Sequence, residues 1–337
     1  FNRHALISLR LLDRAADRVA DEAFFLERLT RALALRESLF DEPFYRLVHA
    51  EADGLPGLII DRFGQVMTLQ ANCAGMERAT PAMLAALDRL LAPETIVLKN
   101  DSTARKLEGL ETHVEVVRGE LRGPIELREN GAIFFADPRD GQKTGWFYDQ
   151  RENRAWAAGL AADRRVLDCY SYTGGFGIQA ARAGAIKVTF LDRSESALAL
   201  AEKAADANGV GDRCRFNRGD AFNRLELLGK RGEAFDLVIC DPPAFVKAKK
   251  DLPRGAKAYR KLARLSAACV DKGGFLVICS CSHHMEAGHF LYQVQRGLSD
   301  AGRRARVLKQ SGAAADHPLH PSLPESGYLK ALFIALD

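Results

Sequence analysis

The chain has 337 residues, of which 47% are hydrophobic and 27% are charged, and its formal net charge at pH 7 is +4. This length allows two domains with full cores, and the composition is that of a globular protein rather than a disordered or fibrous one. No apolar run reaches the ~18 residues of a membrane span, and the weak positive charge neither demands nor excludes a nucleic-acid partner.

The first part of the chain predicts a small α+β domain over residues 13–136. Before it, alternating apolar and polar residues predict a strand over 5–12, which we interpret as the remnant of an N-terminal domain. Amphipathic helices are predicted over 21–40 and 76–91. Strands bounded by turn dipeptides are predicted at 44–50, 57–61, 66–70, 95–100, 112–118 and 125–136, the last split by Asn130-Gly131.

From residue 137 onward, strand and helix patterns alternate, which predicts an α/β domain with a mostly parallel sheet. Strands are predicted at 165–170, 187–192, 214–218, 235–240 and 274–281. The last two apolar runs, 305–309 and 328–336, are joined by a proline-rich loop with little room for a helix, so we expect them to pair antiparallel. An antiparallel last strand without a G-x-G-x-x-G motif favours the S-adenosylmethionine (SAM) methyltransferase architecture over the NAD-binding one.

A glycine-rich turn follows the first strand of this second domain. Residues 166–177 combine an apolar run, an acid, two adjacent glycines and a helix pattern, and such a unit lets a ligand approach the backbone closely. The alternative, that the glycines serve only packing, stays open from this stretch alone. We expect cofactor contacts from the turn at Tyr170, Ser171, Thr173, Gly174 and Gly175.

Acidic residues end several successive predicted strands. In a parallel sheet the carboxyl ends of the strands line one crevice, so these acids are expected to converge on one ligand. Asp192 suits the two hydroxyls of a ribose, whereas Asp220 either holds an adenine amine or caps the next helix. Cofactor contacts from this edge are therefore expected at Asp192, Arg193, Ser194, Asp220, Ala221 and Asp241.

The segment Asp241-Pro242-Pro243-Ala244-Phe245 ends the fourth strand. Two prolines fix the backbone and remove two hydrogen-bond donors, which makes the turn rigid. A rigid turn holds a carboxylate in place against a planar base, and Phe245 offers a ring for stacking. We expect Asp241 to be catalytic, and Pro242 and Phe245 to contact the substrate.

The seven cysteines are scattered, without a C-x-x-C pair or metal-ligand spacing, so we expect reduced thiols, a cytoplasmic protein and no metal ion. Cys279 fits the ordinary role of a small buried residue. Cys281 instead lies at the exit of the strand, between two serines, and is the candidate nucleophile. Only the thiolate is strongly nucleophilic, so the pKa of Cys281 would have to be lowered by its surroundings. We interpret His283 and His284 as solvated loop residues.

A basic run directly follows the Pro-Pro turn. Residues 247–264 contain eight Lys or Arg residues and a single acid, and several of the cations share one face of a predicted helix. A solvated helix face is the alternative to a phosphate-binding one. Substrate contacts are expected here at Lys247, Lys257 and Arg260.

Taken together, these motifs resemble those of the bacterial 23S ribosomal RNA 5-methylcytosine methyltransferases, which are class I SAM enzymes. The resemblance runs nearly end to end and rests on 51–64, Lys143-Thr144-Gly145, Asp149-Gln150-Arg151, 171–176, Asp241-Pro242-Pro243, Ser280-Cys281-Ser282 and Tyr328-Leu329-Lys330. It implies an RNA-binding PUA domain, of which residues 1–12 are the last strand, a central domain over 13–136 and a methyltransferase domain over 137–337. It also implies a homodimer, cofactor contacts from Lys143 and Gln150, and a substrate contact from Arg151. One departure is Ala244, where the family often carries lysine.

The reaction that this resemblance implies is methylation of cytosine C5 through a covalent adduct between Cys281 and C6 of the base. Two other functions stay open from the residues alone. An N-methyltransferase acting on an exocyclic amine of RNA or a small molecule needs the acid-Pro-Pro turn but no thiol. A non-catalytic RNA-binding protein needs neither the acid-Pro-Pro turn nor the thiol.

Overall fold

The computed structural model describes residues 2, 3, 5 and 7–337. These residues divide into two compact units. The first unit comprises residues up to 128, 136–148 and 315–322, and the second comprises 129–135, 149–314 and 323–337.

The first unit is built around a five-stranded sheet in the order β1-β2-β3-β4-β5. The pair β3/β4 is parallel and is joined by a helical crossover, whereas the other neighbours are antiparallel. The elements are α1 (Glu22–Glu37), β1 (Phe44–His49), β2 (Leu58–Phe63), β3 (Val66–Ala71), α2 (Ala74–Leu91), β4 (Thr95–Asn100), α3 (Ala104–Leu107) and β5 (His113–Arg118). The hairpin strands β6 (Ile125–Glu129) and β7 (Ala132–Ala136) follow along the chain and form a sheet of their own.

The predicted strand over residues 5–12 is the main error in this part of the chain. Leu6 lies outside the described residues, and residues 7–12 form no strand. The apolar side chains of Ile7, Leu9 and Leu11 are 59%, 72% and 71% exposed. Alternating polarity indicates a strand only where a neighbouring strand completes the hydrogen bonds, and none does so for residues 7–12 within the described chain.

The second unit contains a seven-stranded sheet in the order β10-β9-β8-β11-β12-β14-β13. The strands from β10 to β12 run parallel, and β14 pairs antiparallel with both β12 and β13, as predicted. Its elements are α4 (Arg151–Ala158), β8 (Arg165–Cys169), α5 (Gly175–Arg182), β9 (Lys187–Asp192), α6 (Glu195–Ala207), β10 (Cys214–Arg218), α7 (Ala221–Lys230), β11 (Phe235–Cys240), α8 (Leu252–Ala268), β12 (Val270–Ser280), α9 (Ala287–Asp300), β13 (Ala305–Ser311) and β14 (Lys330–Leu336).

The strand order of the second unit places its ligand-binding edge. Strands β9 and β10 follow β8 on one side of it, whereas β11 and β12 lie on its other side. The strand order therefore reverses between β8 and β11, which is the switch point of the sheet. Helices α7, α8 and α9 cover one face through a buried cluster that includes Leu225, Leu262 and Phe290. Among the described residues, no helix is both long enough and apolar enough to cross a membrane.

The boundary predicted at residue 137 differs from the observed division. Residues 136–148 belong to the first unit, where the Tyr148 hydroxyl donates to the carbonyl of Arg62 at 2.8 Å and the Thr144 hydroxyl donates to Asp61. Residues 315–322 also belong there, because the backbone N–H of Arg46 donates to the Asp316 carboxylate at 2.9 Å. Composition along the chain does not reveal such contacts between distant segments.

Two glycines of the glycine-rich turn are required by geometry. Gly174 has a φ of +85°, in the left-handed region that favours glycine. A Cβ atom on Gly177 would lie 2.2 Å from a ring carbon of Phe190, whose side chain is fully buried on β9. Helix α5 therefore packs on β9 more closely than any side chain at residue 177 permits.

We predict that Gly177→Ala lowers the free energy of unfolding by about 1–3 kcal/mol, because the added methyl group overpacks the contact with Phe190. Gly288→Ala is the matched control, since it also lies in a helix but faces open space. That substitution should leave stability unchanged or raise it by up to about 1 kcal/mol. Denaturant unfolding of both variants measures this, and a Gly177→Ala variant as stable as the wild type would contradict the packing argument.

Candidate active site

The candidate site lies in the second unit, at the carboxyl ends of β8, β9, β11 and β12. Cys169, Asp192 and Cys240 are the last residues of the first three strands, and Ser280 is the last residue of β12. The glycine-rich turn follows β8, the Asp-Pro-Pro turn follows β11, and Cys281 follows β12. The sheet thus brings together the segments that the sequence singled out.

The glycine-rich turn is held against the end of β9 by backbone hydrogen bonds. The N–H groups of Tyr170 and Ser171 donate to the carbonyl of Leu191 at 2.8 and 3.2 Å, and the N–H of Tyr172 donates to Asp192 Oδ2 at 2.9 Å. Tyr170 and Tyr172 have φ values of +61° and +49°, which is uncommon for bulky residues and typical of functional sites. The turn is therefore a fixed, strained structure.

Three buried polar atoms in this region have no hydrogen-bond partner within the part of the chain that the structure describes: Asp168 Oδ1, Ser171 Oγ and Thr173 Oγ1. Asp168 Oδ2, in contrast, accepts a hydrogen bond from the N–H of Gly177 at 2.8 Å. Buried polar atoms are nearly always paired, because leaving one unpaired costs about 1–3 kcal/mol. Three such atoms within six residues of the chain fit a site whose polar ligand completes them.

The electrostatics of the site suit a ligand with positive charge. Burial above all raises the pKa of Asp168 to about 8, with the nearby carboxylates of Asp241 and Asp192 acting in the same direction and the hydrogen bond from Gly177 opposing the shift. Three carboxyl groups from β8, β9 and the turn after β11 thus lie close enough to repel one another. A cation bound among them relieves the repulsion, and SAM carries both an ammonium and a sulfonium group.

The acids that follow β9 and β10 differ in their surroundings. Asp192 accepts hydrogen bonds from Tyr172 and from the N–H of Ser194, which fixes its carboxylate at the edge of the site. Asp220 accepts from the N–H of Asn223 at 2.9 Å and so caps α7, the alternative that the sequence left open. Its other oxygen pairs with the exposed Arg193. Ala221 is the first residue of α7 and is buried.

The three residues expected from the 137–151 segment are divided between the units. Gln150 is 2% exposed, and its side-chain oxygen accepts a hydrogen bond from Asn153 at 2.7 Å. Arg151 begins α4 and is half-buried. Lys143 belongs to the first unit, where its ammonium lies 4.3 Å from the centre of the Phe147 ring.

The Asp-Pro-Pro turn and the candidate nucleophile are in direct contact. The Cys281 thiol donates to the carbonyl oxygen of Pro242, with the sulfur 3.7 Å from that oxygen. All seven cysteines lie within the described residues, and Cys281 alone among them is not buried. The N–H of Asp241 lies 3.4 Å from the carbonyl oxygen of Cys169, which ties the turn to the end of β8. The thiol is thus at the accessible edge of the sheet, next to the acid.

The buried hydroxyl of Tyr259 links the Asp-Pro-Pro turn to the segment that contains Cys281. Tyr259 on α8 is fully buried, and its hydroxyl lies 2.9 Å from Ser280 Oγ and 2.8 Å from Ser282 Oγ. Ser282 Oγ also accepts a hydrogen bond from the N–H of Val246 at 3.1 Å. The serines on either side of Cys281 are therefore anchored to α8 and to the segment that follows the Asp-Pro-Pro turn.

The residues predicted to contact the substrate differ in their exposure and in whether their charge is already paired. The half-buried ring of Phe245 packs against Tyr259, with ring centres 4.8 Å apart. Lys247 and Lys257 are exposed. Arg260 makes two hydrogen bonds to the carboxylate of Asp300 on α9, at 2.6 and 2.7 Å, so its charge is neutralised locally.

Sequence reasoning missed Tyr259 and gave Lys330 no role. Lys330 opens the otherwise apolar strand β14, is 9% exposed, and donates from its ammonium to the carbonyl of Ser282 at 2.7 Å. A charged residue at the start of a buried strand is a signal that the sequence does carry. Tyr259 carries no such signal, because a tyrosine on an amphipathic helix is ordinary. His283 and His284 are exposed, as expected.

Comparison with known proteins supports the cofactor assignment. Residues 73–334 match the family model for S-adenosylmethionine-dependent methyltransferases. Among solved structures, a protein from Streptococcus mutans assigned as a SAM-dependent methyltransferase has a TM-score of 0.84 at 22% identity, covering 96% of this chain and 84% of that one. A similar structure with the same TM-score, identity and coverage is complexed with SAH, the demethylated form of SAM. At this identity the likeness shows the fold alone.

Curated relatives share more of the sequence. Ribosomal RNA large subunit methyltransferase I of Alteromonas mediterranea is 38% identical over 98% of this chain and 85% of its own length. The protein of the same name from Cronobacter sakazakii is also 38% identical, over 92% of this chain and 80% of its own. The chain therefore belongs to the S-adenosylmethionine-dependent methyltransferases, in the family of ribosomal RNA large subunit methyltransferase I.

Proposed function

We propose that the protein methylates C5 of a cytosine in 23S ribosomal RNA, with Cys281 as a covalent nucleophile. The names of its relatives support ribosomal RNA of the large subunit as the substrate. The single observation that carries the C5 chemistry is the partly exposed Cys281 thiol in contact with the Pro242 carbonyl, beside Asp241. A methyltransferase that acts on an exocyclic amine has no use for a thiol at this place.

The thiol is needed because C5 of cytosine is too weak a nucleophile to accept a methyl group directly. When the Cys281 thiolate adds to C6, an S–C6 bond forms, an electron pair moves into the ring, and C5 becomes enamine-like. SAM, when bound, supplies an electrophilic methyl group. When C5 forms its bond to the methyl group, the bond between that group and the sulfonium sulfur would break, releasing SAH. The C5 proton then leaves to a base, and the electron pair returns to re-form the double bond. The S–C6 bond breaks, and Cys281 is released as thiolate.

Asp241 has the role of stabilising the pyrimidine during this addition. Its carboxylate accepts hydrogen bonds at the N3/N4 edge of the base, from the exocyclic N4–H and from the proton that N3 takes up from solvent as the sulfur adds. The two prolines keep the acid at a fixed distance from the thiol, and Pro242 itself is the residue that the thiol contacts. The cytosine must leave its stack to reach this edge, where its proposed contacts are Phe245, which is half-buried, and Pro242, which is buried.

Cofactor binding is proposed for the residues around the glycine-rich turn. Ser171 and Thr173 supply two of the three unpaired buried oxygens, and Asp192 supplies a carboxylate for the ribose. The other proposed contacts, all within the second unit, are Tyr170, Gly174, Gly175, Arg193, Ser194, Asp220, Ala221, Asp241 and Gln150.

RNA phosphates are proposed to bind the exposed cations that follow the Asp-Pro-Pro turn, above all Lys247 and Lys257, together with Arg151. Arg260 contributes less, because Asp300 neutralises it. A homodimer, a location in the cytoplasm and an N-terminal RNA-binding domain are parts of the proposal that rest on the resemblance alone.

The cofactor assignment predicts that Asp192→Ala weakens SAM binding about 10- to 100-fold, because hydrogen bonds to a charged group are worth about 1.5–3 kcal/mol. Isothermal titration calorimetry with SAM measures the dissociation constant. Asp212→Ala is the matched control, since Asp212 is an exposed acid of the same unit with a side chain 78% exposed. An unchanged dissociation constant in Asp192→Ala would exclude the ribose contact.

The covalent mechanism predicts that Cys281→Ala forms no adduct with ribosomal RNA fragments containing 5-fluorocytidine. With fluorine at C5 there is no proton to remove, so the wild-type protein should be trapped on the RNA in the presence of SAM. Cys279→Ala is the control and should still be trapped, because Cys279 is buried within β12. Equal trapping by Cys281→Ala would remove Cys281 as the nucleophile, and full methylation activity in that variant would favour N-methylation.

The phosphate-binding face predicts that Lys257→Ala binds RNA more weakly and with a less steep dependence on salt. Each lost phosphate contact reduces the slope of log affinity against log salt by about 0.7 for single strands. Arg260→Ala should change the slope less, and Lys272→Ala, at the opposite end of the sheet, should leave it unchanged. Filter binding at several salt concentrations measures the slope, and equal slopes for Lys257→Ala and wild type would contradict the assignment.

A further inference from the structure

Lys330 has no role in the chemistry described above, yet it lies next to the nucleophile. It is the first residue of β14, and in the antiparallel pairing of β12 with β14 it stands opposite Ser280, the residue before Cys281. Its ammonium donates to the carbonyl of Ser282, the residue after Cys281, at 2.7 Å. The lysine thus contacts the backbone on both sides of the thiol.

Packing gives no reason for a lysine at this position. The remainder of β14 is Ala331-Leu332-Phe333-Ile334-Ala335-Leu336, and Lys330 itself is only 9% exposed. Within the described residues, its recorded polar partner is the carbonyl of Ser282, and no carboxylate is among the groups that shift its pKa. A buried ammonium without an anion is costly, and burial lowers the pKa of Lys330 to about 8, while the negative charge of Cys281 opposes that shift.

The other titratable groups around the thiol come from three elements. Tyr259 on α8 and Cys279 on β12 have pKa values raised by burial, so both are uncharged at pH 7. Asp241, after β11, carries the same sign of charge as a thiolate and disfavours it. The exposed His283 lies two residues beyond Cys281. Lys330 is thus a cation placed to offset Asp241 and favour the ionised sulfur.

We propose that Lys330 is a positioning residue for the nucleophile, whose ammonium stabilises the thiolate of Cys281 and whose hydrogen bond to Ser282 fixes the backbone beside it. This inference rests on the proposed role of Cys281. The thiol proton leaves to solvent, and the charge on the sulfur is balanced by the ammonium until the S–C6 bond forms. Lys330 stays protonated throughout, so its support is present at neutral pH and is lost as the pH rises through about 8.

The test is the pH dependence of Cys281 alkylation by iodoacetamide, followed on the Cys281 peptide by mass spectrometry. It needs neither RNA nor SAM, and the six other cysteines are buried. In the wild-type protein, the pH at which the alkylation rate reaches half its maximum should lie below ~8.5, the pKa of a free cysteine. Lys330→Met should raise it by about one pH unit, so that alkylation at pH 7 slows about tenfold, whereas Lys330→Arg keeps the charge and should stay near wild type.

If the alkylation midpoints of Lys330→Met and of the wild type coincide, the proposal is wrong. A wild-type midpoint above ~8.5 would also overturn it, and that measurement does not depend on whether any variant folds. Binding of SAM by each variant reports whether it is folded. Methylation assays add a second readout: Lys330→Met should lower kcat at pH 7, recover part of it at pH 9, and leave KM for RNA unchanged. If alkylation shifts as expected but the fluorocytidine adduct never forms, the lysine acts on the thiol and the proposed C5 chemistry is what fails.

Discussion

The hydrogen bonds of one buried phenol determine where the reactive groups of the second unit lie. Tyr259 joins Ser280 and Ser282, and Ser282 in turn accepts from the N–H of Val246. Together with the contact between the Cys281 sulfur and the Pro242 carbonyl oxygen, these bonds fix the separation between Cys281 and the Asp-Pro-Pro turn. Because covalent catalysis depends on distance and direction, a satisfied polar network in the core is an effective way to set both.

The cofactor end of the site depends on a different kind of constraint. There the glycine-rich turn has positive φ values at two tyrosines, and three buried oxygens at or beside it have no hydrogen-bond partner among the described residues. Each of these features costs stability, and a polar ligand bound at the turn would supply partners for the three oxygens. The segment around Cys281 is thus rigid with its polar groups paired, whereas the glycine-rich turn is rigid with polar groups left for a ligand.

Much of this arrangement could be predicted from the sequence because it follows from local patterns. The acids that follow Leu191 and Cys240 predicted the ligand-binding edge of the sheet. The loop before the last strand is too short for a crossover helix, and this predicted the antiparallel pairing at the end of the sheet. What local patterns could not predict depends on distant partners. Residues 7–12 alternate like a strand but have no strand neighbour among the described residues. The ion pair of Arg260 with Asp300, forty residues later, gives no local signal either. Tyr259 acts through serines 21 and 23 residues away, which no local pattern signals.

We propose that this family member reacts at carbon C5 of a cytosine and not at an exocyclic amine. Ribosomal RNA transcribed with [5-³H]cytidine, incubated with the protein and SAM, tests it most directly, because only substitution at C5 expels the label. We expect one tritium to be released into water for each methyl group transferred, and none with Cys281→Ala. Methyl transfer without release of tritium would contradict it.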